Sequence, residues 1–178
     1  MKTINYLSGI IAFLIVLMVA SCQDKQANEQ LSKFLEAELS RTNHIETAKK
    51  LYNYLDEVNL DAVRALCSSD FKLYYQTYPP SSFEDFIPIA EMFYTAFPDY
   101  KHEIVDIFGY DDKVVIRIDY TGTHKEKFMD IESTGEKFFY KGIHILQFSN
   151  GKVINWWAVE DELGMMSQLG MELKLKEE

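Results

Sequence analysis

Cysteine, histidine and basic side chains are all scarce in this 178-residue chain. It contains 2 Cys and 4 His, and its 18 Lys and Arg stand against 28 Asp and Glu, which gives a formal net charge of -10. This acidic balance argues against a nucleic-acid partner, because such partners select basic patches. The histidines show no metal-ligand spacing on a shared element, so we expect no metal site.

Long apolar runs are also absent, except at the N-terminus, where Leu7 to Ala20 is almost continuously apolar. The run is too short for a comfortable transmembrane helix and follows Lys2, as in an export signal. It ends in Val19-Ala20-Ser21-Cys22, which resembles the bacterial lipobox. We therefore predict a lipoprotein signal peptide over residues 1–21 and a lipidated Cys22, tethered to a membrane of the bacterial cell envelope, periplasmic or surface-exposed. The alternatives are a secretory signal that happens to contain a cysteine, or an uncleaved anchor.

Lipidation of Cys22 would leave Cys67 as the only other thiol, so no intramolecular disulfide is expected. Cys67 is interpreted as a small buried hydrophobe rather than a nucleophile. Residues 22–42 would form the tether, with a flexible stretch from Gln23 to Gln30 and a short amphipathic helix over Leu31 to Leu39.

Helical patterns open the predicted domain, residues 43–178. Apolar residues recur at steps of three and four from Ile45 to Val58, which predicts a one-sided helix. Asn59 is suited to cap a second helix, and Ser81 or Ser82 a third that ends before Pro98.

β-type patterns fill the remainder of the chain. A strand over Phe71 to Thr77 precedes the third helix, and four long runs rich in Val, Ile, Phe and Tyr follow it. Tight turns, including Asn150-Gly151, require neighbouring runs to pair antiparallel. The predicted fold class is α+β, with helices on one face of an antiparallel sheet. The four runs cover Tyr100 to Tyr110, Lys113 to Thr123, Glu136 to Phe148 and Lys152 to Glu160.

The last strand and the residues after it, Gly151 to Gly170, combine an aromatic with a carboxylate. Strict alternation along a strand places Val153, Asn155, Trp157, Val159 and Asp161 on one face and turns Glu160 away from it. A short segment follows that contains Leu163-Gly164 and Gln168-Leu169-Gly170.

This stretch resembles the C-terminal signature of the SnoaL-like polyketide cyclases, often called ester cyclases, within the NTF2-like superfamily. The matching residues are Gly151, Lys152, Val153, Trp157, Asp161, Leu163, Gly164, Gln168, Leu169 and Gly170, and three further pieces match in order: Phe97-Pro98-Asp99, Gly122-Thr123-His124 and Thr134-Gly135. The resemblance implies a cone in which a strongly curved sheet wraps over N-terminal helices.

The resemblance also implies an activity and a site. In the family the signature Asp is a general base that removes an acidic α-proton from a polyketide ester, without a cofactor. The matching residue is Asp161, with Trp157 and Asn155 on its predicted face. His124 and Tyr74 are the candidates for the opposite wall, where a base needs a proton donor across the substrate. Either His124 or His144 could donate to a developing enolate oxygen. Asp161 capping the following turn is the alternative, and a packed, hydrogen-bonded histidine is the alternative for His124 and His144.

Three functions stay open at this point. The first is a cofactor-free lyase or isomerase acting on a small carbonyl or polyketide-like compound. The second is a lipoprotein without catalysis that binds an apolar ligand, or that uses its sheet face to form a homodimer. The third follows from Arg117 and Asp119, which resemble half of the carboxylate–Arg–carboxylate set of limonene epoxide hydrolases; an exposed ion pair is the alternative there.

Overall fold

The computed structural model describes the backbone of residues 2–172 and 174, and the side chains of residues 24–172 and 174. The chain divides into two units, Met1–Ser40 and Arg41–Glu178. The predicted signal peptide and Cys22 fall among the residues whose side chains lie outside this description. Within the described part, no helix is both long and apolar enough to pass through a membrane.

The first unit is helical and forms part of α1, Lys2–Asp56. This differs from the prediction of an irregular tether at residues 23–30, because the structure has helix there. The predicted helix at Leu31 to Leu39 is present, and its apolar residues Leu31, Phe34, Leu35 and Leu39 are exposed.

In its described residues, the second unit combines four helices with one sheet. Its helices are the C-terminal part of α1, α2 (Leu60–Leu66), α3 (Phe83–Ala96) and α4 (Glu162–Gln168). Its strands are β1 (Cys67–Tyr75), β2 (Lys101–Tyr110), β3 (Lys113–Thr123), β4 (Lys137–Ser149) and β5 (Lys152–Glu160).

Local sequence signals explain the helix starts. The Asn59 side chain accepts a hydrogen bond from the Ala62 amide and caps α2. Ser82 and Asp85 form a reciprocal capping box at the start of α3, whose interior contains Pro88. The structure thus has helix caps at two predicted positions, Asn59 and Ser82.

The sheet has the strand order β1-β5-β4-β3-β2. The strands β2 to β5 form the predicted antiparallel meander, and Asn150 and Gly151 both have positive φ in the turn between β4 and β5. β1, however, pairs with β5 in parallel, so the sheet is mixed rather than antiparallel throughout. A parallel neighbour needs a long connection, and the chain from α3 to β4 supplies it. The fold is the predicted α+β arrangement, with helices at the N-terminus followed by a curved five-stranded sheet.

The core lies between the helices and one face of the sheet. Along β4 every second residue is buried, from Phe138 through Tyr140 and His144 to Phe148. From α1, Ala48, Leu51, Tyr52 and Leu55 enter the same core. The domain therefore buries an aromatic-rich layer over its sheet, and part of that layer surrounds a cavity.

Candidate active site

A cavity of about 410 Å³ lies between α3 and the inner face of the sheet. Most of its walls are apolar or aromatic, such as Leu55, Phe86, Phe93, Trp156 and Ala158. A smaller set of polar side chains interrupts these walls. A largely apolar, concave site with a few convergent polar groups is typical of a small-molecule pocket.

An irregularity in β5 decides which side chains reach this cavity. Phe148 pairs with Val153 and Gln147 pairs with Asn155, so Ile154 is an extra residue opposite β4. The bulge reverses the alternation beyond it: Trp156 and Ala158 are buried, and Glu160 lies in the cavity wall. The prediction that Asn155, Trp157 and Asp161 face inward is wrong for this reason.

The Glu160 carboxylate is the centre of a buried polar cluster. Its Oε1 lies 2.9 Å from His144 Nε2 and accepts a hydrogen bond of 3.1 Å from the Tyr120 hydroxyl. Its Oε2 accepts one of 3.2 Å from the Tyr75 hydroxyl. All four residues line the cavity. Oε2 therefore retains acceptor capacity for a ligand.

The other side of the His144 ring fixes its tautomer. His144 Nδ1 lies 3.0 Å from Trp156 Nε1 and 2.7 Å from the Tyr52 hydroxyl. An indole N–H can only donate, so Nδ1 accepts and the ring proton resides on Nε2. His144 thus donates from Nε2 to Glu160, and it holds the carboxylate in place. The structure has His144 in the cavity wall, with both ring nitrogens hydrogen-bonded.

The two cavity carboxylates have opposite electrostatic environments. Burial raises the pKa of Glu160, but the hydrogen bond and electrostatic attraction of His144, with the hydrogen bonds from Tyr120 and Tyr75, leave this pKa below its ordinary value. The pKa of Glu162 is raised, first by burial and then by the Glu160 charge. Gln76 donates to the Glu160 carbonyl and to Glu162 Oε2 and so bridges the pair. Glu160 is therefore ionised at neutral pH.

Gly142 permits the close approach on which this cluster depends. A Cβ atom at this position would lie 3.0 Å from Tyr120 Cε2 and 3.0 Å from Glu160 Cγ. Gly142 pairs with Ile118 on β3 and with Glu160 on β5. The glycine between them leaves room for the Tyr120 ring to reach the Glu160 carboxylate across β4.

Asp161, the predicted base, caps α4 instead. It is exposed, and its Oδ1 accepts a hydrogen bond of 2.9 Å from the Gly164 amide. It does not line the cavity. Asp161 is therefore a helix cap, which was the alternative prediction. The neighbouring Glu160 occupies the position in the cavity wall that was predicted for Asp161.

Three other residues that were predicted to line the cavity, Tyr74, Asn155 and Trp157, lie on the outer face of the sheet. Tyr74 stacks on Trp157, with 5.2 Å between ring centroids. Asn155 donates to Gln147 at 2.8 Å. None of these three lines the cavity, where Tyr75 and Trp156 are found in place of Tyr74 and Trp157.

His124 is fully buried but also lies outside the cavity wall. Its ring packs on Phe97 at 5.4 Å, and its Nδ1 accepts from the Thr134 amide at 3.3 Å. Among the described residues, its Nε2 has no hydrogen-bond partner. His124 is therefore a packed, hydrogen-bonded histidine, which was the alternative prediction. It connects the end of β3 to the loop before β4.

Arg117 and Asp119 do not form a group of catalytic side chains in the cavity. Arg117 is exposed and pairs with Asp106 at 2.6 Å, and neither Arg117 nor Asp119 lines the cavity. This geometry does not support the epoxide-hydrolase alternative. Across the described side chains, no three of His, Cys, Asp and Glu are grouped so that they could hold a metal ion.

The helices, the curved sheet and the polar cluster in an apolar cavity define a small NTF2-like domain. A sequence model of the SnoaL-like polyketide cyclases matches residues 45–169, most of the chain. The chain therefore belongs to the SnoaL-like polyketide cyclase family. No curated protein matches the chain.

Solved structures resemble the domain over nearly their whole length. AclR of Streptomyces galilaeus, a candidate hydroxylase, has 25% identity and a TM-score of 0.69, covering 73% of this chain and 97% of its own. IdmH of Streptomyces antibioticus, a candidate polyketide cyclase, has 24% identity and a TM-score of 0.64, covering 71% and 97%. A candidate SnoaL-like polyketide cyclase from Jannaschia sp. CCS1 has 18% identity and a TM-score of 0.68, covering 75% and 95%. At such identities the last two show the fold alone.

Sequence reasoning missed Glu160, Trp156, Tyr120 and His102. Strict alternation along β5 turns Glu160 and Trp156 outward, because it does not account for the extra residue in the bulge. For Tyr120 a signal existed: it falls in register with Ile116 and Ile118 on the buried face of β3.

Proposed function

We propose that this protein is a cofactor-independent acid/base enzyme, a lyase or isomerase that converts a small, largely apolar carbonyl compound. The observation that supports this most is the Glu160 carboxylate, ionised and held by three hydrogen-bond donors in the wall of a mostly apolar cavity. Membership of a cyclase family supports the same class of chemistry.

The proposed step is the removal of a proton from carbon next to a carbonyl. Glu160 Oε2 accepts this proton, and the electrons of the C–H bond move onto the carbonyl oxygen to form an enolate. His144 and Tyr120 keep the carboxylate oriented, because both bind Oε1 and leave Oε2 toward the ligand. Because its pKa is lowered, Glu160 is a weaker base than an ordinary carboxylate, so the step depends on the substrate being held against Oε2.

Turnover of enolisable probes tests this proposal. Wild-type protein and Glu160→Gln are incubated with β-keto esters and aryl ketones, and products are followed by mass spectrometry. Glutamine preserves shape but cannot accept the proton, so we expect turnover to fall by about 100-fold or more. Binding of 2-methoxynaphthalene, measured by fluorescence, should be similar in both proteins. Equal turnover in the variant would contradict the assignment of Glu160.

A binding protein without catalysis is the second candidate, and the apolar walls of the cavity favour it. It predicts that wild-type protein binds the naphthalene probe and converts none of the carbonyl probes. The same experiment therefore separates the two functions.

The cellular location and the oligomeric state of the protein also stay predictions. We propose that Cys22 is the lipidated mature N-terminus and anchors the protein to a membrane of the cell envelope. Mass spectrometry of the membrane fraction should identify an acylated Cys22 peptide, and a soluble protein cleaved elsewhere would refute this. The proposed homodimer predicts twice the monomer mass in light scattering.

A further inference from the structure

His102 is a cavity residue with a carboxylate behind it. Its Nδ1 lies 2.7 Å from Asp56 Oδ1, and its backbone amide donates to the same oxygen at 3.1 Å. Asp56 is the last residue of α1, and His102 is the second residue of β2, so the contact fixes the strand to the helix end. The His102 side chain is only 7% exposed.

The Asp56 contact determines which ring nitrogen is left for a ligand. Asp56 Oδ1 accepts from the backbone amide of His102 and faces its ring Nδ1, and Lys101 Nζ lies 3.6 Å from Oδ2, an arrangement that favours the ionised carboxylate. An ionised carboxylate can only accept, so the proton of the neutral His102 ring resides on Nδ1. Nε2 then carries a lone pair, and among the described residues it has no hydrogen-bond partner.

Aromatic packing holds the ring in this orientation. The rings of Tyr100, Tyr120 and Tyr52 lie 5.0, 5.3 and 5.5 Å from the His102 ring, measured between centroids. Tyr120 also donates to Glu160, so it lies between the two acid/base groups. His102 is on β2 and Glu160 is on β5, with β3 and β4 between them in the sheet. A ligand in the cavity can therefore meet Glu160 and His102 at different atoms.

We infer that His102, positioned by Asp56, is a second proton acceptor of the cavity and binds the acidic hydroxyl of an enol or phenol through Nε2. His144 cannot do the same, because Trp156 occupies its Nδ1 and its Nε2 donates to Glu160. The ligand class that fits is a flat, apolar compound with one proton-donating hydroxyl. Catalytic use of this acceptor rests on the proposed function, whereas its availability for a ligand does not.

Affinity labelling with 2-bromoacetophenone tests the inference without any turnover. The Nε2 lone pair attacks the CH₂ carbon, a C–N bond forms, the C–Br bond breaks and bromide leaves; the Nδ1 proton is then lost to solvent. Peptide mapping of the full chain by mass spectrometry reports each histidine separately. We expect a phenacyl group on His102 and none on His144 or His124. His102→Gln should remove the label from that peptide.

Protection by matched probes tests the ligand class. 2-Naphthol can donate a proton to Nε2, and its methyl ether, 2-methoxynaphthalene, cannot. One hydrogen bond is worth about 1 kcal/mol, so naphthol should protect His102 at a roughly fivefold lower concentration than the ether. Equal protection by both probes, or an unlabelled His102, would overturn the inference.

Asp56→Ala tests the positioning role. It removes the oxygen that accepts from Nδ1, so the ring proton can move to Nε2 and the ring is no longer held in place. Labelling of His102 should then slow by about tenfold or more, while circular dichroism shows that the fold is retained. An unchanged labelling rate would remove Asp56 from the inference. If His102 labels as expected but no carbonyl probe is turned over, the proposed enzyme fails and the ligand site stands.

Discussion

Glu160 and Asp161 are adjacent acids with opposite surroundings. Glu160 is held by three donors at the cavity, whereas Asp161 is exposed and caps α4. Asp161→Ala should therefore lower the free energy of unfolding by about 1 kcal/mol through loss of the cap, as measured by urea denaturation. Protection of His102 by 2-naphthol should not change. If this substitution abolished protection in a folded protein, Asp161 would belong to the site after all.

The lowered pKa of Glu160 gives a pH dependence of known sign. Its folded-state pKa lies below the ordinary value of 4.5, so its ionised form stabilises the fold above that pH, and this contribution is lost as pH falls through the folded pKa. Glu160→Gln lacks the titration. The difference in unfolding free energy between wild type and variant should shrink as pH falls below 4.5. A difference that is constant from neutral to acid pH would contradict the hydrogen-bonded, ionised carboxylate.

At the scale of the element, the β5 bulge separates the two tryptophans. Trp156 is 4% exposed in the core, and Trp157 is only partly buried against Tyr74 on the outer face. Trp156→Ala should cost about 3–5 kcal/mol of unfolding free energy, as expected for a large buried side chain. Trp157→Ala should cost clearly less. Denaturant titrations of both variants compare them, and a larger loss at Trp157 would show that β5 presents the opposite face.

The same element marks the limit of prediction from sequence. Helix periodicity, the caps at Asn59 and Ser82 and the Asn150-Gly151 turn are local signals, and each is found where it was predicted. The bulge at Ile154 has no such signal, and one extra residue exchanges the faces of every residue after it. This is why Glu160 was turned outward in the sequence analysis.

Contacts between distant segments were likewise beyond local reasoning. His102 follows Lys101 at a strand start, a local pattern that gives no sign of burial. Its partner Asp56 lies on α1, and only the packing of that helix on β2 brings the two together. The parallel pairing of β1 with β5 also depends on tertiary structure, since hairpin signals describe only neighbouring strands.

At the scale of the whole molecule, the core and the cavity belong to the unit Arg41–Glu178. Among the described residues, those of α1 that enter the core begin at Ile45 and Ala48. We therefore expect the core to form without the residues before Arg41. A chain that starts at Arg41 should unfold cooperatively, with a midpoint within a few degrees of that of the longer chain. Calorimetry measures this. A much lower midpoint or a loss of cooperativity would show that the domain depends on the N-terminal segment.

The central claim is that Glu160 is the base of an acid/base cavity, and proton exchange at carbon tests it most directly. Ethyl benzoylacetate is placed in D₂O, and loss of its α-proton signal is followed by NMR with wild type, Glu160→Gln and the control Asp161→Asn. We predict that wild type and Asp161→Asn accelerate exchange above the uncatalysed rate. Glu160→Gln should lose this acceleration by about 100-fold or more. Exchange that is equally fast with Glu160→Gln and wild type would contradict the claim.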